Sequence, residues 1–148
     1  MDVAFYRCTR EGPVAVLGKL AEKIAATGHR AIVQADDAAL REDIDRQLWT
    51  ADAASFIPHG QAGGDHDADQ PILIAPDFSD ANGARIAVAM SSRLPGLDAG
   101  YERILYIFDA GDEDSLNAAR KHWKALSGRD DVTPVYWKQV DRGWEKQA

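Results

Sequence analysis

One cysteine, Cys8, is all that the 148 residues offer for disulfide chemistry, so no intramolecular disulfide framework is possible and a reducing compartment suits the chain. Long hydrophobic runs are missing as well. No segment approaches the roughly 20 apolar residues of a membrane span, and the opening MDVAFYRCTREG lacks the extended apolar core of a secretion signal. The expectation is a cytoplasmic protein. Positive charge is also in deficit: 17 Lys and Arg stand against 24 Asp and Glu, for a formal net charge of −7. A protein that grips nucleic acid alone carries a basic face to neutralise phosphates. This balance argues against autonomous DNA binding and leaves recruitment through a protein partner open.

What is present is the pattern of a soluble globular chain, 45% hydrophobic and 28% charged. Apolar runs of strand length alternate with helical periodicity. Asp2–Tyr6 reads as a strand, and Pro13 opens a helix whose stripe is Leu17, Leu20, Ala21 and Ile24, with Gly28 placed to end it. Arg30–Ala35 is a second strand, and Asp36 or Asp37 caps a helix running to about Leu48. A loop from Trp49 to Gln70 follows, with 60–70 its mobile part. Strands are expected at Pro71–Ala75, Ala84–Met90, Arg103–Phe108 and Val132–Trp137, and a helix over about Glu113–Ser127. The tail 139–148 is polar apart from Val140 and Trp144 and reads as a frayed terminus. Such alternation predicts one α/β domain over residues 1–148, with a mostly parallel, Rossmann-like sheet flanked by helices.

An α/β chain invites a search for catalytic or phosphate-binding motifs. The segment 12–20, GPVAVLGKL, approaches a phosphate loop but has five residues between its glycines, where four let successive N–H groups cup a phosphate. It also has Leu20 where a magnesium-holding Ser or Thr belongs. No GxGxxG follows the first strand, and Ser91-Ser92 lacks the glycines of a nucleophile elbow. His59, Asp65, His66, Asp67 and Asp69 have irregular spacing in a Gly-rich loop and read as solvated acids rather than a metal site. Cys8 and Asp109 read as strand-end residues. No cofactor is expected, although a small α/β enzyme with an unrecognised site and an interaction module outside replication stay as alternatives.

Several segments resemble the chi family, accessory subunits of the bacterial DNA polymerase III clamp-loader assembly. Phe5-Tyr6, Leu20-Ala-Glu22-Lys23 and Gly28-His-Arg30 contribute. The most specific block is Leu48-Trp49-Thr50 followed by Ser55-Phe56-Ile57-Pro58-His59. The late helix carries Ala-Arg120-x-x-Trp123-Lys124. The resemblance spans nearly the whole chain. It implies a non-catalytic adaptor in DNA replication, associated with the nucleoid through the replisome. It also implies two protein partners. One is psi, the subunit that ties chi to the clamp loader, or an alternative helicase partner. The other is the C-terminal tail of single-stranded-DNA-binding protein.

On that resemblance, Trp49, Phe56, Pro58 and His59 belong to the psi-type interface, since loop aromatics bury much area at little rotamer cost, with a turn role for His59 left open beside it. Closing the end of the core is the plainer account of Trp49 and Phe56. In the late helix, Leu116, Ala119, Trp123 and Leu126 make an ordinary core stripe. Arg120, Trp123 and Lys124 nevertheless share one side at i, i+3 and i+4. The resemblance assigns Arg120 to the tail's α-carboxylate, Lys124 to its acidic residues and the edge of Trp123 to its apolar end. Leu116 occupies the position one turn before Arg120 that is a Lys in the enterobacterial form, which removes one basic contact.

Overall fold

The computed structural model describes residues 1–50 and 57–148. In chain order the elements are β1 (Asp2–Cys8), α1 (Pro13–Thr27), β2 (Ala31–Gln34), α2 (Ala38–Thr50), β3 (His59–Gln61), β4 (Ile72–Ala75), β5 (Ile86–Ala89), β6 (Arg103–Asp109), α3 (Glu113–Ser127), β7 (Thr133–Val140) and β8 (Gly143–Lys146). The strands form one sheet in the order β3-β4-β2-β5-β6-β1-β7-β8. Every pairing is parallel except β7 with β8. The architecture is therefore α/β with a mostly parallel sheet, as the alternation predicts.

Local chemistry accounts for the helix limits. Pro13 starts α1 where its missing N–H costs no hydrogen bond, and Gly28 ends it at φ 75°, a left-handed conformation that glycine adopts without a Cβ penalty. Asp37 caps α2, its Oδ1 accepting from the Ala39 N–H at 3.0 Å. Gly18 has a different reason to lie mid-helix: a Cβ there would meet the Gln47 amide at 2.9 Å, so its bareness leaves room for that α2 side chain.

Strand alternation divides the core between the two faces of the sheet. Leu17, Leu20 and Ile24 of α1, with Ile44 and Leu48 of α2, cover Ala31, Val33, Ile72, Ile74, Leu105 and Ile107. Ala119 and Leu126 of α3 cover Val3, Phe5, Ile104, Tyr106 and Phe108 on the opposite face. The short inner strands β2, β4 and β5 are buried on both faces and therefore read as unbroken apolar runs in sequence.

Two expectations change. Trp49 is not in a loop but in the last turn of α2, and the segment after it contributes β3, which adds to the sheet edge through His59, Gly60 and Gln61. Within 60–70, Asp67 accepts the Gly63 and Gly64 N–H groups at 3.0 and 3.1 Å, folding the acids into a compact turn. The tail is also ordered as a strand: β8 returns along β7, and Trp144 meets Tyr6 edge-on at 5.3 Å. A single aromatic anchor in a short polar edge strand overrides the polarity of the tail. Phe56 lies outside the described residues.

Candidate partner-binding sites

Helix α3 is fastened to the sheet by aromatic contacts on either side of its buried line. His122 meets Tyr106 of β6 at 5.4 Å and approaches the Ser92 carbonyl with Nε2 at 3.0 Å. Trp123 meets Phe5 of β1 and Tyr136 of β7, both edge-on at 5.4 Å. The Trp123 flank therefore looks toward β7. Leu116 and Arg120 are on that flank, two turns and one turn before Trp123 respectively and at helical spacing from it. Leu116 and Trp123 are half-buried, whereas Arg120 and Lys124 are exposed, and neither cation has an ion pair among the described residues. The structure thus brings all four residues expected at a tail site onto one side of one helix. Exposed cations stand there over a half-buried aromatic surface. Asp112, Glu113 and Asp114 gather at the opposite, N-terminal end of the helix, where the dipole favours them.

The other expected surface is built around α2 and β3. Trp49 is 57% exposed, the single exposed large hydrophobic side chain among the described residues. Its ring meets the His59 imidazole at 4.9 Å. His59 is held in turn from two sides, Nδ1 against the Ile57 carbonyl at 2.8 Å and Nε2 near Asp45 Oδ1 at 3.0 Å. The Nε2 contact has ion-pair distance but not the alignment of a good hydrogen bond. The His59 side chain is fully buried, so it positions Trp49 from beneath, while Pro58 is exposed beside it. Three of the four residues expected at this surface are thereby neighbours.

Enzymes of α/β type place their sites at the carboxyl ends of the strands. Here the polar groups at that edge are turned on one another. The N–H groups of Thr9, Arg10 and Glu11, ahead of α1, all donate to Oε1 of the buried Gln139, at 3.3, 3.0 and 3.1 Å. A phosphate loop would offer such a cradle to a ligand; an internal amide fills this one. Asp109 accepts from Gly111 N–H at 2.8 Å as a turn residue, and Arg93 bridges Asp36 and Asp77. Cys8 is 1% exposed, and burial, then the charges of Asp109 and Glu11, push its thiol up to about 12. That is the opposite of a thiolate nucleophile.

A family model described as DNA polymerase III chi subunit, HolC, matches residues 1–132. The chain belongs to the DNA polymerase III chi subunit family. Among its relatives is the probable DNA polymerase III subunit chi of Rickettsia prowazekii (strain Madrid E), 27% identical over 88 residues. That match takes in 60% of this chain and 53% of the Rickettsia protein, so the chain spans about half of that relative's length. The DNA polymerase III subunit chi of Pseudomonas aeruginosa PAO1 is 28% identical over 105 residues, 69% of this chain and 72% of that protein. This membership agrees with the resemblance carried by the Leu-Trp and Phe-x-Pro-His residues.

Sequence reasoning passed over Arg7 and Lys138, two further cations on the α3 side of the sheet. Nothing in the spacing from residue 7 to residue 138 signals that they meet; the parallel register of β1 with β7 brings them together.

Proposed function

We propose that this chi-family chain is a non-catalytic adaptor of the replicative polymerase, holding the clamp-loader assembly through psi, or a functional replacement, at the Trp49 surface. Its α3 flank receives the C-terminal tail of single-stranded-DNA-binding protein. The observation that carries the reading is the separation of two differently built surfaces on one continuous sheet. Helix α2 covers β3 and β4 on one face, and α3 covers β6 and β7 on the other. Four to five strand spacings put them about 20 Å apart across the sheet. Two partners then bind together without competing, as an adaptor requires.

Each surface suits its partner in chemistry. Trp49 and Pro58 present apolar area with a prearranged ring, the kind of anchor that dominates protein interfaces. The exposed Arg120 guanidinium clamps a free α-carboxylate with two charge-assisted hydrogen bonds, Lys124 draws the preceding acids, and Leu116 with the edge of Trp123 takes the apolar terminal side chain. The frame itself is of Rossmann type in this proposal. Its first half winds through α1 and α2 on one face, and its second half returns through α3 on the other.

The test is fluorescence anisotropy with the labelled C-terminal peptide of the cognate single-stranded-DNA-binding protein, comparing wild type with Arg120→Ala. Salt-sensitive binding that is lost in the variant supports the reading. Folded wild-type protein that fails to bind at low salt overturns the tail-binding half.

A further inference from the structure

Two more cations lie on the sheet face that α3 covers. Arg7 of β1 and Lys138 of β7 are register partners, so their side chains leave the sheet side by side. Alternation fixes the face. Val3 and Phe5, at even spacing before Arg7, belong to the α3-side core. Tyr136, two residues before Lys138, stacks with Phe5 at 6.2 Å and meets Trp123. Helix α3 leaves the C-terminal end of β6 and returns toward the start of β7, antiparallel to the strands. Two strand residues advance about 6.6 Å from the Phe5–Tyr136 level to the Arg7–Lys138 level. On the helix, Arg120 is about 4.5 Å and Leu116 about 10.5 Å from Trp123 in the same direction. Arg120 and Leu116 thus bracket the level of the two strand cations.

Both strand cations are half-buried, and neither has an ion pair among the described residues. Arg7 is the more telling, because its Nε is closed off from solvent with no hydrogen-bond acceptor among the described residues. A buried donor on a charged group left unmatched is costly, and an anion entering beside it would relieve that cost. Arg7 and Lys138, with Thr9, Arg10, Gln139 and Asp141, line a shallow pocket of about 480 Å³. Arg10 there is engaged with Asp141, which leaves Arg7 and Lys138 as the cations open to a ligand.

We infer that Arg7 and Lys138 are the sheet-borne half of an anion-binding cleft whose helical half is Arg120 and Lys124, and that they receive the acidic side chains of a partner's carboxyl-terminal tail. The inference rests on the tail-binding reading above and adds where the acids go. A short acidic peptide suits the cleft better than a nucleic acid strand. The cations are few and close together, with Asp112, Glu113 and Asp114 at one end and Glu145 opposite Lys138. A phosphodiester backbone would run on into these like charges, on a chain of net charge −7.

The experiment uses the intact chain and two labelled peptides with a free terminal carboxylate. One has three Asp ahead of an apolar, Phe-terminated end; the other has Asn in place of each Asp. Arg7→Leu, which adds an apolar side chain to β1, and Lys138→Gln are checked for unchanged urea midpoints. Each is expected to weaken the Asp peptide about five- to tenfold at low salt, the size of one lost charge-assisted contact. The Asn peptide should bind both variants like wild type, while Arg120→Ala weakens both peptides. If Arg7→Leu and Lys138→Gln bind the Asp peptide as wild type does while Arg120→Ala does not, the sheet-borne half is wrong and the tail reading survives. Wild type binding neither peptide overturns both. Loss of binding to a thymidine oligonucleotide, with peptide binding intact, would make the cleft a nucleic-acid contact and overturn the peptide assignment.

Discussion

Arg120 and Trp123 are three residues apart on α3 and have different physical tasks. Trp123 closes a cluster with Phe5 and Tyr136, so Trp123→Ala should cost about 2 kcal/mol, less than a fully buried Trp because the ring is half-buried. Arg120 is exposed, and Arg120→Ala should stay within about 0.5 kcal/mol of wild type. Urea unfolding of the two variants distinguishes them; equal losses would mean that Arg120 is part of the packing. Cys8 supports a pH prediction. Its folded-state thiol is raised from an ordinary value of 9.0 to about 12, chiefly by burial. The neutral form is therefore favoured by folding, and its contribution is fully present below the unfolded value. As pH rises toward 12 the unfolded state loses the proton first, and that stability is lost. Folded protein should resist thiol reagents at pH 8 and react when unfolded in urea. Alkaline destabilisation should be smaller in Cys8→Ala.

At the level of elements, the limits of α1 and α3 were legible because each is marked by local chemistry. Pro13 and Gly28 bound the first, and an acidic start with an apolar stripe marks the last. Gly28→Ala should lower stability by about 1 kcal/mol, since alanine must then adopt φ 75°; a thermal melt reads this directly. Strands β3 and β8 were not legible. His59–Gln61 has no apolar alternation and is a strand only because the β4 edge accepts it. Gly143–Lys146 depends on a hairpin and on Trp144 finding Tyr6. Trp144→Ala should lower the melting temperature by a few degrees, about 1 kcal/mol for a domain of this size. A variant melting like wild type would show that β8 does not contribute to the core.

For the whole molecule, the consequence is independence of the two surfaces. Trp49→Ala should abolish capture of the psi-type partner and leave tail-peptide affinity within about twofold, since residues far apart without shared partners act additively. Arg120→Ala should do the reverse, and co-purification alongside anisotropy measures both. Tail binding should weaken as salt rises, the Trp49 contact much less, because exposed charges are screened and apolar burial is not. Amino-acid order alone was enough to determine the α/β class, the α1 and α3 spans, the lack of a phosphate loop and the residues of the helical cation flank, because periodicity, caps and motif spacing are short-range. Only the tertiary structure decided that Gln139 fills the N–H cradle before α1, that His59 is buried beneath Trp49, and that Arg7 and Lys138 stand beside each other. Those contacts depend on which strands become neighbours. Strand order is settled by packing two helical layers onto one twisted sheet, an interaction that no local stretch of the chain contains.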